Sequence, residues 1–312
     1  MNLNRMALAL ASELLREPQF WNAERHQLEC GTTVCDLGIE ATGGLNAGRL
    51  LAEICLSGLG TVSLESWAGV GTSTAVAVAT DHPLFACLGS QYAGWQIKQG
   101  KFFGMGSGPM RILAAKEPLI GELGITDQNE VAVGILETAT MPTDEVCCAI
   151  AHDCDISPKQ LYLFVAKTAS LTGNLQIVAR SVETAMHKLH ALEFDLSLVR
   201  SGRGVAPLPP VAKNDVQGIG RTNDAILYGS SVTLWIDAPG ELLAEVAQKL
   251  PSRSSKEYGR PFEEILQAVK FDFYQIDPLL FSPAEVHLVS LRDGTTSTAG
   301  RIDQEMLVQS FG

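Results

Sequence analysis

Hydrophobic and polar residues follow two different periods along this chain of 312 residues. Apolar runs that alternate with polar residues, or that are rich in β-branched residues, predict strands; these runs are TTVCDLGI, TVSLESW, TAVAVAT, EVAVGILET, VCCAIAHD, LYLFVAKT and AILYGSSVTLWIDA. Apolar residues repeated at intervals of three and four predict helices, in LNRMALALASELLRE, GLNAGRLLAEICLSG, PMRILAAKE, LQIVARSVETAMHKLHALE, ELLAEVAQKL and PFEEILQAVK. Because the two kinds of segment are mixed throughout the chain, the sequence predicts an α+β fold of mixed α and β layers.

One segment interrupts both patterns. SGRGVAPLPP, Ser201–Pro210, contains two glycines and three prolines, and these residues disfavour regular helices and strands. We therefore expect residues 201–210 to form a loop, either a hinge between two lobes or part of an active site. No short repeat and no low-complexity tail divides the rest of the chain.

Composition and charge exclude several classes of protein. The chain is 46% hydrophobic and carries a formal net charge of -12, whereas nucleic acids and anionic membranes are bound through clustered lysine and arginine. MALALASELL is interrupted by Glu13 and is too short to be a signal peptide. No apolar run approaches the roughly 20 residues that span a bilayer. Seven scattered cysteines are typical of reduced thiols. We expect a soluble, cytoplasmic protein that binds neither nucleic acid nor membrane.

The segment ARSVETAMHKL carries an arginine and a glutamate three residues apart, Arg180 and Glu183. On a helical wheel both lie opposite the apolar stripe. They could form a solvent-facing i,i+3 ion pair that contributes about 0.2–0.5 kcal/mol to the helix. If a second lobe covers this face, the same pair lines a cleft, where the carboxylate could serve as a general base.

Three loops are further candidates for ligand binding. The glycines of FFGMGSGPMR precede Pro109, and backbone amides at a helix start can bind an anion. PSRSSKEYGRPF combines serines with basic residues, which suits a phosphate or a carboxylate, although a solvated loop explains it equally well. GIGRTNDAILYG is expected to turn and enter a strand, with polar residues at the mouth of that strand.

Two other segments carry side chains that could take part in catalysis or bind a metal. Glu137 ends the apolar run VAVGILE, and a carboxylate there is either hydrogen-bonded for structure or directed into a site. CCAIAHDC contains three cysteines and a histidine, but it lacks a second CxxC-type pair, so we expect no metal site.

Eight segments together resemble the methenyltetrahydromethanopterin cyclohydrolase family of the tetrahydromethanopterin-linked one-carbon pathway. They run in the family's order from about residue 30 to 290. The segments are CDLGIEATGGLNAGRLLAEICLSGLG, GSQYAGWQI, FFGMGSGPMR, ARSVETAMHKL, APLPPVAKND, IGRTNDAILYG, PSRSSKEYGRPF and DFYQIDPLLFSPAEV.

The resemblance implies a single family unit, residues 1–312, folded as two α and β lobes around a deep ligand pocket and assembled as a homotrimer. It implies reversible hydrolysis of the N5,N10-methenyl bridge of the pterin coenzyme to the N5-formyl derivative, without a metal or a cofactor. It assigns catalysis to Glu183 with Arg180 as its partner, and to Glu137. It assigns substrate binding to Gln91, Tyr92, Ser107, Gly108, Arg111, Arg221, Asn223, Asp224, Ser254, Ser255 and Lys256.

Two alternatives remain at this stage. A non-catalytic pterin-binding protein could keep the fold and lose turnover. A phosphate-transferring protein could use GMGSGP and PSRSSK as phosphate loops, although the chain lacks a Walker lysine motif. Nucleotide binding would identify the second, and substrate binding without hydrolysis would identify the first.

Overall fold

The computed structural model describes residues 1–128 and 130–312, without the side chain of Tyr274. Its α-helices are α1 Leu3–Leu10, α2 Ser12–Arg16, α3 Leu45–Cys55, α4 Met110–Ala114, α5 Pro118–Leu123, α6 Asp144–Asp153, α7 Leu171–Val178, α8 Ser181–Ala191, α9 Asp215–Leu227, α10 Gly240–Lys249, α11 Phe262–Ala268 and α12 Gln304–Phe311. Its strands are β1 Glu24–Gln27, β2 Thr33–Asp36, β3 Gly60–Ser66, β4 Thr74–Thr80, β5 Trp95–Gln99, β6 Phe102–Ser107, β7 Ala132–Glu137, β8 Leu161–Ala166, β9 Val199–Pro207, β10 Ser231–Ile236, β11 Glu285–Ser290 and β12 Thr296–Gly300.

Short helices of other kinds connect these elements. A π-helix spans Leu84–Gln91, and 3₁₀ turns lie at Pro18–Trp21, Pro158–Gln160, Leu196–Leu198, Ser252–Ser254, Phe273–Gln275 and Pro278–Leu280. Helices and strands of mixed direction alternate along the chain, so the α+β prediction is confirmed.

The chain divides into two compact units. The first comprises Met1–Gly60 and Phe85–Gln176, and the second comprises Thr61–Leu84 and Ile177–Gly312. The boundaries therefore fall near residues 60, 85 and 177, and the chain passes between the units three times. No boundary lies within the predicted hinge at 201–210.

The first unit is built on a sheet with strand order β1-β2-β8-β7-β6-β5. Its three central strands β2, β8 and β7 are parallel, so their carboxyl ends share one edge. Helices cover both faces of the sheet, since residues of α6 pack with one set of strand side chains and residues of α1 and α3 pack with the other. Burial on both faces explains why LYLFVA and AVGILE are continuously apolar rather than alternating.

The second unit is built on a sheet with strand order β12-β11-β10-β9-β4-β3. Strand β10 is parallel to β11 and antiparallel to β9. Along β10 and β11 buried residues alternate with partly exposed ones, as expected for a sheet with one fully covered face. Helix α8 packs on β9, β10 and β4.

One predicted strand and one predicted turn are helices. VCCAIAHD lies in α6, where the Thr143 side chain accepts a hydrogen bond from the Val146 amide at the helix start. GIGRTNDAIL lies in α9, where the Asn214 side chain accepts one from the Gln217 amide. Both predictions were wrong because these capping residues, which satisfy amides that the helix leaves open, were not used as start signals.

The predicted loop at 201–210 is also wrong for most of its length. Residues 199–207 form β9, which pairs with β4 on one side and β10 on the other. A Cβ atom on Gly202 would lie 2.7 Å from Val182 Cγ1, and one on Gly204 would lie 2.2 Å from Ser181 Oγ. The glycines therefore allow the start of α8 to approach the sheet closely. The prolines Pro207, Pro209 and Pro210 stand at or beyond the end of the strand, where no ladder hydrogen bond is lost.

A search of the described residues finds no helix that is both long enough and apolar enough to cross a membrane. The seven cysteines all lie within the described residues, none of them forms a disulfide bond, and five of them are buried.

The close approach of α8 to β9 leads to a prediction for Gly202→Ala. Because Val182 is β-branched and has one strongly preferred rotamer in a helix, the added methyl group must displace the helix. We expect a loss of about 1–3 kcal/mol in the free energy of unfolding, as for other overpacked sites, measured by urea denaturation.

The matched control is Gly121→Ala in α5, where nothing lies within 4 Å of an added Cβ. There the substitution should leave the protein unchanged or slightly more stable, since alanine favours a helix over glycine. Equal stability of the two variants would contradict the close-packing role of Gly202.

Candidate active site

Arg180 and Glu183 lie at the start of α8. The predicted long helix is interrupted at Ala179 and Arg180, and Arg180 has φ -88° and ψ 9° as the residue that precedes the first turn of α8. Glu183 follows within that first turn. Arg180 is 6% exposed and Glu183 is 5% exposed. The interpretation of this pair as a solvent-facing surface pair is therefore wrong.

The position of this pair on the helix has an electrostatic consequence. The first amides of a helix carry partial positive charge, which favours negative charge in the first turn. The i,i+3 spacing also places Arg180 and Glu183 as neighbours on the helix surface. Positive potential of either kind favours the ionised form of a carboxylate. Such a group can accept a proton.

Lys188, one and a half turns further along α8, anchors the helix within the second unit. Its side chain is buried, and Nζ donates hydrogen bonds to Leu279 O at 2.5 Å, Ser254 Oγ at 2.7 Å and Pro251 O at 3.2 Å. Burial lowers the pKa of this ammonium to about 8, and the nearby Asp277 carboxylate opposes that effect. The segments PSRSSK and DPLLF thus provide the acceptors that hold a buried lysine.

All three serine hydroxyls of PSRSSK donate hydrogen bonds within the protein. Ser254 Oγ donates to Lys249 O at 2.7 Å, and Ser255 Oγ donates to Asp277 Oδ2 at 2.7 Å. Ser252 Oγ donates to Leu227 O. Lys256 is exposed. These contacts give the hydroxyl groups a structural explanation, and they remove the support for a phosphate loop in this segment.

Glu137 is the last residue of β7, at the carboxyl edge of the parallel strands in the first unit. It is half-buried, and it lies opposite Met105 of β6 and Ala166 of β8. Gln176 of α7 donates from Nε2 to Glu137 Oε1 at 3.5 Å. Ligands of open α/β sheets bind at this edge of the strands, so the position is compatible with a functional carboxylate.

Gln91 and Tyr92 lie at the carboxyl end of the π-helix. Gln91 is buried, and its carbonyl oxygen lies 3.9 Å from Cys55 Sγ. Ser107, at the end of β6, is also buried, with its hydroxyl 3.4 Å from the same sulfur. These residues therefore meet within the first unit. π-Helical turns are rare and are frequent at functional sites.

FFGMGSGPMR does not form an exposed anion-binding loop. Residues 102–107 are strand β6, and the amide of Gly108 donates to Ser90 O at 2.8 Å. Gly108 has φ +85°, and a Cβ atom there would lie 2.8 Å from Ile135 Cδ1. The glycines serve strand packing and a left-handed turn, so the anion-binding prediction was wrong.

The guanidinium of Arg111 is buried and contacts other groups of the protein. Its Nε donates to Glu117 Oε2 at 2.7 Å, its Nη2 lies 2.5 Å from the same oxygen, and its Nη1 faces the carbonyls of Leu88, Gly89 and Ser90 at 3.2, 3.3 and 3.3 Å. The side chain is 0% exposed. Arg111 therefore supports the segment that carries Gln91 and Tyr92.

Arg221, Asn223 and Asp224 lie inside α9 rather than at the mouth of a strand. Arg221 donates to Ser310 O, Pro210 O and an oxygen of Gly312, each at 3.2 Å. Asn223 Nδ2 donates to Ile219 O at 2.9 Å. Asp224 accepts from the Phe262 amide at 2.9 Å and from Ser310 Oγ at 2.7 Å. These contacts join α9 to α11 and α12.

The cysteine-rich segment carries no metal-binding arrangement. No group of three or more histidine, cysteine or acidic side chains that could hold a metal ion occurs among the described residues. Burial raises the pKa of the Cys147 and Cys154 thiols to about 12. Both thiols are therefore neutral near pH 7 and pack as apolar side chains in the core.

Three functional or supporting residues escaped the sequence analysis: Lys188, Gln176 and Glu117. Lys188 lies on the same helix as Glu183 and was assigned no role, because a lysine in a helix is mostly solvated. Glu117 lies in the segment AAKEPLI, which has no feature that predicts a role for it, and its importance follows only from its ion pair with Arg111. For Gln176 the sequence offered one indication of a role, namely its position four residues before Arg180, which places the two on the same face of a helix.

Comparison with known proteins identifies similar chains along the whole length. The family model described as Cyclohydrolase (MCH) matches residues 2–311. A methenyltetrahydromethanopterin cyclohydrolase of Rhodopirellula baltica is 47% identical over 288 residues, which are 90% of this chain and 86% of the relative. One of Methylobacillus flagellatus is 43% identical over 100% of this chain and 95% of its own. One of Methanosarcina mazei is 39% identical over 100% of this chain and 98% of its own.

The contacts of Asp224 lead to a prediction of pH-dependent stability. Burial raises the pKa of this carboxyl to about 7, the hydrogen bonds from Ser310 and Phe262 lower it, and Glu263 and Glu264 raise it. Because the pKa is higher in the folded state than in the unfolded state, bound proton stabilises the fold. That contribution is complete below about pH 4 and is lost as the pH rises through about 7.

The test compares the wild type with Asp224→Asn, which stays neutral throughout. Between pH 4 and 7 the wild type should lose at least about 1.4 kcal/mol of unfolding free energy relative to the variant, equivalent to a tenfold change in proton affinity. Urea denaturation at both pH values measures this, with Glu245→Gln at an exposed site of α10 as the control. A constant difference between wild type and Asp224→Asn would contradict the prediction.

Proposed function

The chain belongs to the methenyltetrahydromethanopterin cyclohydrolase family, and we propose that it catalyses the reaction for which its relatives are named. Water adds to the N5,N10-methenyl bridge of the pterin coenzyme, and the product is the N5-formyl derivative. The observation that carries the proposal is the burial of Arg180 and Glu183 at the start of α8. An unused surface pair would not be removed from water at this cost.

The substrate determines what the protein must supply. The methenyl carbon lies between two nitrogens in a cationic, amidinium-like bridge, so it is already electrophilic. The main requirements are to position one water molecule and to remove its proton. We assign proton removal to Glu183. The resulting tetrahedral carbinolamine carries the new hydroxyl group on the former methenyl carbon.

The second half of the reaction breaks the bond between that carbon and N10. The leaving arylamine nitrogen needs a proton, and Glu183 returns the proton that it took from water. The hydroxyl proton of the carbinolamine is then released as the C=O bond of the formyl group forms. One water is consumed and one proton is released, because the substrate is a cation and the product is neutral at this position.

Arg180 and Glu137 have electrostatic roles in this proposal. Arg180 keeps Glu183 ionised and oriented, which a general base requires before it meets its substrate. Glu137 offsets positive charge on the methenyl bridge. Both assignments rest on the resemblance, together with the burial of Arg180 and the position of Glu137 at the carboxyl edge of β7.

Recognition of the pterin is proposed for Gln91, Tyr92 and Ser107, and Gly108 is assigned the left-handed turn that follows Ser107. The other candidates act indirectly in this proposal, since their polar groups are engaged within the protein; they are Arg111, Arg221, Asn223, Asp224, Ser254 and Ser255. Lys256 keeps its predicted role in binding polar parts of the coenzyme. The homotrimer, the cytoplasmic location, reversibility and independence of metals and cofactors stay predictions that rest on resemblance and composition.

The decisive experiment follows the ultraviolet absorbance of methenyl-tetrahydromethanopterin mixed with the purified protein. The wild type should bleach the methenyl band, and Glu183→Gln should lower kcat by about 10²- to 10⁴-fold, the usual contribution of a general acid or base. Methenyl-tetrahydrofolate in a parallel cuvette reports whether folate analogues are accepted.

The matched control is Glu193→Gln, an exposed glutamate just beyond the end of α8, which should keep full activity. If Glu183→Gln keeps full activity, the base assignment fails and Glu137 becomes the next candidate. If even the wild type leaves the band unchanged but binds the substrate, the protein is a pterin-binding protein without turnover.

A further inference from the structure

A buried ion pair closes the carboxyl end of the π-helix in the first unit. The guanidinium of Arg111 is 0% exposed and the Glu117 side chain is 9% exposed. Removing one charge from water costs several kcal/mol, and a partner with good geometry offsets that cost. Glu117 is the partner here, with one carboxylate oxygen 2.7 Å from Nε and 2.5 Å from Nη2.

The remaining nitrogen of Arg111 faces the end of the π-helix. The last carbonyls of any helix lack amide donors within the helix, and Nη1 lies 3.2–3.3 Å from the carbonyls of Leu88, Gly89 and Ser90. A single cation thus serves three consecutive carbonyls, a position where positive charge is favourable. The next residue after these three is Gln91.

The residues that follow are fitted against the same pair. The Tyr92 ring lies over the guanidinium, with 5.1 Å between the ring centroid and Cζ of Arg111, which is within the range of a cation–π contact. A Cβ atom on Gly94 would lie 1.8 Å from Glu117 Oε1 and 2.4 Å from Tyr92 Cε1. A side chain at residue 94 would therefore displace the Glu117 carboxylate or the Tyr92 ring from the positions they occupy.

We propose that Glu117 is a positioning residue for pterin recognition, acting through Arg111 to fix the side chains of Gln91 and Tyr92. The proposal rests on the proposed function, since it assigns those two side chains to substrate binding. It replaces a direct contact between Arg111 and the coenzyme, because the side chain is 0% exposed, Nε and Nη1 donate to protein groups and Nη2 lies beside Glu117 Oε2. Glu117 touches no reacting atom and should affect binding rather than chemistry.

Steady-state kinetics of Glu117→Gln on methenyl-tetrahydromethanopterin provides the first test. Loss of the carboxylate charge should raise KM by about tenfold or more with kcat within about twofold, because the interaction that is lost stabilises bound substrate and transition state equally. Gly94→Ala should produce the same pattern without a change of charge, since the new methyl group displaces the Glu117 carboxylate. Gly94→Ala also tests the proposal in case Glu117→Gln does not fold.

The matched control is Asp153→Asn. Asp153 pairs with Lys116, the neighbour of Glu117, at 2.8 Å, so this variant breaks an ion pair in the same region and should leave KM unchanged. The second measurement is amide hydrogen exchange of peptides that cover residues 84–94. Exchange there should become faster in Glu117→Gln and stay as in the wild type in Asp153→Asn.

Unchanged KM in folded Glu117→Gln and Gly94→Ala would overturn the positioning role. Unchanged exchange at residues 84–94 would show that the pair does not hold the segment and would also overturn it. If the wild type shows no turnover but binds the substrate, the proposed function fails and the recognition role is tested by the substrate affinity of the same variants; if the wild type does not bind the substrate, both fail. The exchange experiment still decides, in that case, whether Glu117 and Arg111 hold the π-helix.

Discussion

The cost of removing an ionised side chain from water constrains both units of this chain. Such a group must be paired, hydrogen-bonded or neutralised, and the protein uses all three solutions. Arg111 is paired with Glu117 in the first unit. Lys188 is held by two carbonyls and a hydroxyl in the second. Asp224 has a raised pKa near 7, so a neutral form is accessible close to physiological pH.

Asp36 shows how one such group organises a loop. It is buried at the end of β2, and its two oxygens accept the amides of Gly38, Ile39, Glu40 and Ala41 at 2.7–2.9 Å. Four amides that would otherwise need water are satisfied by one carboxylate, and the carboxylate is satisfied by them. Much of the segment CDLGIEATGG is thus explained by local structure and needs no ligand.

Sequence reasoning succeeded where one local pattern decided the structure. TAVAVAT, LYLFVA and AVGILE are strands, because their apolar runs are buried in sheets. It failed in α6 and α9, where the side chains of Thr143 and Asn214 start helices in segments that were predicted as a strand and as a turn. It also failed for β9. In the sequence, Gly202 and Gly204 indicate a loop, and their real role, which is to let α8 pack closely on the strand, is visible only in the structure.

The candidate site was less predictable for a related reason. Helical spacing places Arg180 beside Glu183 and predicts nothing about their burial. The partners of Arg111, Asp224 and Ser254 are distant in sequence or lie on other elements, so no local pattern encodes them. In the sequence, the polar residues of these motifs look like ligand-binding residues. In the structure they form hydrogen bonds within the protein, which indicates a structural role.

The interruption of the helix between α7 and α8 is the structural feature that bears most directly on the proposed chemistry. In one continuous helix from Leu171 to Ala191, Glu183 would lie in the interior, where the amides around it are bonded to the preceding turn. Because the helix restarts after Arg180, Glu183 lies instead in a first turn, where the helix dipole favours negative charge. A base for a cationic substrate must stay ionised before water arrives. In the proposed mechanism the restart favours that condition through the helix dipole, and the glycines of β9 let α8 pack against the sheet in this position.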